Sequence, residues 1–395
     1  MALSVLRRLV ADMPRALAVV GDLHYEPHLA DRFVAARRQL VALAPEAVIQ
    51  LGDHGGYSHC GSQQSFDEGL EFLSGFDCPT HTIIGNHDLE GAEFARDEQS
   101  IAAFCQTFAL ERPYYTIDLG DALGICLSST AFRTNLASHH EVHLDPAQLH
   151  WLRATLTAQP DRPTFVFSHA PILGSGARVL QSVHLKCPNA WLNHTDQPAQ
   201  FARLVEEHPQ IKLWFSAHNH LGQQYVDSIT RLGQCTCVHT GVIGDVSRDG
   251  RHQSRMLAFD AAGFELSTVD HDSLSCTVDV EHNYRSGSWR RVSASATADE
   301  SVHFAPPPMP RDRQQLTIGD SVFAIHRDMV VEYDRHWAAP VGVVHEGLAG
   351  AAVRVKGETL EVLGPFGGIA YRPGIAGRYS QVFAPNPWRS ARRSA

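Results

Sequence analysis

Short β-branched runs alternate with stretches of helical period through roughly the first 270 residues of the chain. Ala18–Gly21 reads as a strand. The apolar positions from Asp31 to Leu43 recur at helical spacing, and Ala47–Leu51 is extended again, giving strand, helix, strand. Further strands are predicted at Thr80–Ile84, Ala122–Leu127, Thr164–Phe167, Ile211–Phe215 and Cys237–Gly241, with helices at Gln99–Phe108, Pro146–Thr157 and Gln197–Glu207. Alternation of this kind implies an α/β sandwich whose strand-end loops carry function. Near residue 270 the texture changes. Ser286–Arg313 is rich in Ser, Ala and Pro, with Pro306, Pro307, Pro308 and Pro310 close together, as in an extended linker. Beyond it, Val322–Ile325, Met329–Tyr333, Val341–His345, Ala351–Val355 and Thr359–Leu363 are short strand-like runs. The expected organisation is a first domain over 1–272, a linker over 273–313 and a smaller β-rich accessory domain over 314–395, which ends in a basic tail, Arg389–Ala395.

Composition narrows the class. With 395 residues, 44% apolar and 19% charged, the chain can bury a large core and should be soluble and globular. Lys and Arg total 33 against 43 Asp and Glu, a net charge of −10 that offers no basic field to a nucleic-acid backbone. No run approaches the ~18 apolar residues of a membrane span. Arg7, Arg8 and the following Leu9-Val10-Ala11 imitate the start of a secretory leader, but Asp12 interrupts them. Eight cysteines occur without a C-x-x-C pair, the closest being Cys235 and Cys237, so reduced thiols and a cytoplasmic location are expected.

Five short clusters follow predicted strands: Gly21-Asp22-Leu23-His24, Gly52-Asp53, Gly85-Asn86-His87-Asp88, Ser168-His169-Ala170-Pro171 and Ala217-His218-Asn219-His220. Their Asp, His and Asn donors suit Mn, Fe, Zn or related divalent ions. The set contains no cysteine, which argues against a closed structural zinc site. In an extended strand end residues i and i+2 point the same way, so Asp22 and His24 are expected to grip one ion, with His218 and His220 facing two neighbouring ions. A central Asp53 could bridge two ions held ~3.5 to 4 Å apart.

The order Asp-x-His, Gly-Asp, Gly-Asn-His-Asp, His, x-His-x-His resembles the calcineurin-like metallophosphoesterase superfamily over about residues 15–270. The resemblance implies a four-layer α/β/β/α sandwich and a dinuclear centre. One metal would take Asp22, His24 and His220, the other Asn86, His169 and His218, with Asp53 bridging. It also implies that His87 contacts the substrate phosphoryl group without ligating metal, that Asp88 orients His87 from behind, and that a metal-bound hydroxide attacks phosphorus. Asp53 is followed by His54-Gly55-Gly56, and Asp88 stands where Ser/Thr protein phosphatases have Glu, which sets the chain apart from them. Tyr57 lies four residues after Asp53 and position 24 is His, unlike the purple acid phosphatases. Gln148-Leu149-His150-Trp151-Leu152 resembles a helix of the branch containing bacterial cyclic-nucleotide and glycerophosphodiester phosphodiesterases.

The expected activity is therefore metal-dependent hydrolysis of a small phosphodiester such as a cyclic nucleotide, with a metabolite phosphomonoesterase as the enzymatic rival and a non-catalytic binding scaffold as the other alternative. The expected partner is a small phosphorylated substrate, with neither membrane nor nucleic acid. The accessory domain could cap the site, join subunits into a homo-oligomer, or hold a partner. His54 and His59 are candidates for the substrate border. The segment Gly174–Asn193, with Arg178, His184, Lys186 and Trp191, is a candidate substrate-covering loop. His139, His140, His143 and His150 read as a polar surface group, and Cys60 and Cys187 as passive thiols.

Overall fold

The computed structural model describes residues 15–133, 142–172, 175, 192, 194, 199–223, 228–247 and 250–292, and in the C-terminal part 315–319, 321–326, 329–334, 340–346, 352–364, 367–373 and 379–381. Period-2 alternation builds the centre of the first domain. In β1 (Arg15–Val20), Leu17 and Val19 face one apolar core while Ala18 and Val20 face another. Strand β1 pairs in parallel with β2 (Ala47–Gln50), which pairs in parallel with β3 (Thr80–Thr82). A second sheet has the order β4 (Tyr115–Asp118), β5 (Leu123–Cys126), β6 (Thr164–Phe167), β7 (Ile211–Ser216), β9 (Cys235–His239), β8 (Ile229–Leu232), with β5, β6, β7 and β9 parallel.

The two sheets close face to face over one core, in which Leu17, Val19 and Ile49 meet Phe165, Phe167, Leu213 and Phe215. The outer face of the first sheet is covered by α1 (Ala30–Ala42) and α2 (Gln63–Ser74) through Phe33, Leu40, Phe72 and Leu73. The outer face of the second is covered by α4 (Pro146–Ala158) and α5 (Ala199–Glu207) through Leu149, Leu152, Phe201 and Leu204. The remaining helix, α3 (Asp97–Thr107), packs Phe104 into an aromatic cluster with Phe66 of α2. This is the four-layer α/β/β/α sandwich. Helix starts follow local chemistry: Ser62 Oγ accepts from Ser65 N at 3.2 Å, and Asp145 Oδ1 accepts from Gln148 N at 2.8 Å with Pro146 next in the chain.

The first sheet continues further than expected, as β13-β12-β11-β10-β1. These strands are β10 (Gln253–Asp260), β11 (Gly263–Asp270), β12 (Ser275–Asn283) and β13 (Trp289–Arg291). The last two lie in the stretch assigned to a linker. Asp279 of β12 pairs with the fully buried Arg255 of β10 at 3.1 Å, which ties that stretch into the sheet interior. The C-terminal part forms two four-stranded antiparallel sheets, β14 (Leu316–Ile318) to β17 (Pro340–Glu346) and β18 (Ala352–Lys356) to β21 (Tyr379–Gln381). The segment 176–191, His139 and His140, and the basic tail lie outside the described residues.

Candidate metal centre

The parallel strands deliver the five clusters to one edge of the sandwich. The loops after β1 and β2 are stitched together, because the Asp53 carbonyl accepts from Leu23 N at 2.9 Å and His24 N at 3.0 Å. Gly85 allows the next loop to close on them: a Cβ there would meet the Asp53 carboxyl carbon at 2.8 Å. The expectation of extended strand ends is corrected by the backbone. His24, Asp53, His218 and His220 have φ of 39°, 57°, 71° and 53°, so left-handed turns aim these side chains. Such turns cost about 1–3 kcal/mol each in non-glycine residues and persist where the surroundings over-determine them.

All seven side chains named as ligands converge and are buried. Asp22, His24, Asp53 and His220 each present a donor atom within 4.8 Å of the others. Asn86 Oδ1 lies 2.8 Å from His169 Nε2 and 2.9 Å from His218 Nδ1, which are themselves 3.2 Å apart. Between the two groups sits Asp53 Oδ2, 3.2 Å from His169 Nε2 and 3.6 Å from His24 Nε2, without a hydrogen bond of its own. The other Asp53 oxygen accepts from His87 N at 2.9 Å.

This donor set fits a pair of divalent cations. His169 Nδ1 donates to Leu51 O at 2.7 Å and His24 Nδ1 to Gly55 O at 3.2 Å, which leaves Nε2 of each ring turned inward. His24 Nε2 then faces His220 Nε2 at 3.2 Å, an encounter of ring nitrogens that a cation would relieve. Charge points the same way. Burial raises the pKa of Asp22 and Asp53, but His220 beside the first and His169 beside the second outweigh it, holding both carboxyls well below the usual range. Burial and His220 lower His24 to about 4, its neutral, ligand-ready form. His169 rises to about 9 against burial because Asp53 adjoins it, so its proton occupies the place a cation would take.

Asp88 does not orient His87. Its Oδ2 accepts from Asp53 N and Gly85 N, both at 2.8 Å, and its Oδ1 from His54 N and His54 Nδ1, both at 3.0 Å. Within the single turn His87–Leu89 the Asp88 carboxylate points back to the backbone amides of Asp53, His54 and Gly85, so Asp88 braces the Asp53 loop. Glu90 holds His87 instead, its Oε2 accepting from Nδ1 at 3.0 Å. Glu90 was missed, although the spacing i, i+3 on a single helical turn signals the contact. His87 rises to about 11: burial opposes, and Asp53, Cys60 and Glu90 prevail.

His54 does not border substrate. It is wholly buried against Phe66, Phe104 and Phe108, with Nε2 on Thr82 Oγ1 at 2.8 Å. His59 is tied to Glu68 at 2.6 Å. His143 stacks on His194 with ring centroids 5.7 Å apart. The exposed ring at the mouth is Tyr57, 4.6 Å from His24 and 5.3 Å from His87 between centroids. Gln148 of the Gln-Leu-x-Trp-Leu helix clamps both backbone groups of Ser128 at 2.9 Å, bracing the end of β5.

A two-sheet sandwich with convergent Asp, His and Asn donors at its strand-end loops defines a metallophosphoesterase. Residues 16–222, just over half of the chain, match the calcineurin-like phosphoesterase family, and the chain belongs to it. It is 29% identical over 164 residues to a probable cyclic nucleotide phosphodiesterase of Rhodopseudomonas palustris, covering 41% of this chain and 56% of that one. It is 27% identical over 176 residues to the glycerophosphodiester phosphodiesterase GpdQ of Enterobacter lignolyticus, covering 45% and 56%. The match thus spans little more than half the length of either relative. A dimetal phosphatase from Danio rerio aligns at a TM-score of 0.49 with 13% identity, over 66% of this chain and 97% of that one. Among the described residues no helix is long and apolar enough to cross a membrane.

Proposed function

We propose that the protein is a dinuclear-metal phosphodiesterase acting on a small cyclic-nucleotide or nucleotide-like diester. The observation that carries this is Asp53 Oδ2, poised between the Asp22–His24–His220 donors and the Asn86–His169–His218 donors. The phosphodiesterase activities named for the two relatives favour the diester. When bound, two cations would supply an activated water and neutralise charge on the phosphoryl oxygens.

The chain's own residues do the rest. His87 is pinned through its backbone N–H on Asp53 Oδ1 and through Nδ1 on Glu90, so Nε2 is the ring atom assigned to deliver a proton to the departing oxygen. Tyr57 offers an exposed ring beside His24 and His87 on which a base can stack. Asp88 keeps the Asp53 loop in register.

The test compares bis(p-nitrophenyl) phosphate with p-nitrophenyl phosphate in added Mn, together with metal content of the wild type and Asp53→Asn. The expected result is diester preference, two ions per chain, and loss of at least one ion with turnover in the variant. Monoester preference would replace the diester reading. Intact metal content and turnover in Asp53→Asn would overturn the bridging role.

A further inference from the structure

Beside the dinuclear centre lies a second donor group of different chemistry: Cys60, His87 and Glu90, each partly buried, with donor atoms within 4.8 Å of one another. Glu90 Oε2 is 3.0 Å from His87 Nδ1 and 3.6 Å from Cys60 Sγ. A tetrahedral zinc with bonds of about 2.0–2.3 Å spaces its ligand atoms about 3.3–3.6 Å apart, so this triangle needs only small side-chain adjustments. The backbone holds the two loops together. Gly61, at φ 67°, packs so tightly on the turn after His87 that a Cβ would meet Gly91 N and His87 O at 2.6 Å. Cys60, the residue before Gly61, thus lies beside the turn that carries His87 and Glu90.

We propose that Cys60, His87 and Glu90 form an inhibitory site for a thiophilic divalent cation, with Zn²⁺ the fitting ion and water its fourth ligand. Donor softness separates the two centres. The dinuclear set is all oxygen and imidazole and accepts Mn, whereas the thiolate selects zinc over Mn or Mg. Binding releases the Cys60 thiol proton and the His87 Nδ1 proton to solvent, and the ion takes both lone pairs. Zinc on Nδ1 replaces the Glu90 contact that aims Nε2 at the departing oxygen, so occupancy stops turnover without displacing the ions of the dinuclear site. The effect on turnover rests on the reading of His87 above; zinc uptake by the triad does not.

The experiment titrates Zn²⁺ into Mn-loaded wild type and Cys60→Ser, each normalised to its own zinc-free rate. Bound zinc is counted by elemental analysis, and alkylation of Cys60 is followed by peptide mass spectrometry. Expected are one extra zinc per wild-type chain with both Mn ions retained, Cys60 protected from alkylation at least tenfold, and an inhibition midpoint at least tenfold higher in Cys60→Ser. Equal midpoints in the two proteins, Mn released as zinc binds, or zinc at Cys60 with undiminished turnover would each overturn the proposal. Protein that hydrolyses diesters with Mn yet leaves Cys60 open to alkylation in zinc sinks this site alone. Absence of Mn-dependent hydrolysis would sink the proposed function and the inhibitory role, while protection of Cys60 would still report the triad.

Discussion

Asp88→Asn separates bracing of the Asp53 loop from orientation of His87, the proton donor of the proposed mechanism. The buried carboxylate accepts four hydrogen bonds, two on each oxygen, at 2.8–3.0 Å. Replacing one oxygen by NH₂ removes two acceptors and turns donors toward two N–H groups. Bonds to a charged group are worth about 1.5–3 kcal/mol each, so the loss is about 4 kcal/mol. That is about a thousandfold in the unfolding constant. Against a usual stability of about 5–15 kcal/mol, the variant should still fold. Because Asp53 N is one of the bonded donors, Mn affinity should fall about 10–100-fold, as for other groups that support a metal ligand. Urea unfolding and calorimetric Mn titration measure both, and a series of aryl diesters at saturating Mn reads the leaving-group step. The series should keep its wild-type slope. Unchanged stability and Mn affinity, with losses confined to poor leaving groups, would refute the reasoning and restore an Asp88–His87 contact.

Glu90→Ala should slow hydrolysis of diesters with poor leaving groups about 10–100-fold, the worth of one charge-assisted bond of about 1.5–3 kcal/mol. Glu90→Gln, which can still accept from Nδ1, should recover most of it, and equal losses would show the contact to be idle. Tyr57→Ala should raise KM for a nucleotide-type diester about 5–10-fold, from ~1 kcal/mol of stacking, with kcat within about twofold; a fall confined to kcat would contradict a binding role. Burial lowers His143 and His271 to about 4. Since the unfolded chain binds these protons first, their contribution is complete above the ordinary value of 6.5 and is lost as pH falls toward 4. Each accounts for up to about 3 kcal/mol. Thermal unfolding in chelator should therefore drop steadily from pH 6.5 to 4.5, and a flat midpoint would contradict it.

The sequence by itself determined which side chains gather in the candidate site and where the central strands run. Asp22, His24, Asp53, Asn86, His169, His218 and His220 stand in short clusters beside turn-forming residues, and β1, β2, β6 and β7 are apolar enough to announce buried parallel strands. Strands β10 to β12 escaped because their buried positions include Ser254, Arg255, Thr268 and Asp279, polar residues made tolerable only by partners on neighbouring strands. Tertiary structure likewise decided the backbone of the site. Left-handed φ at His24, Asp53, His218 and His220 is imposed by loops that lock on one another, and no local pattern encodes it. It also assigned Asp88 to Asp53 and Glu90 to His87, since a hydrogen bond depends on where two loops meet in space rather than on which residues are adjacent in the chain.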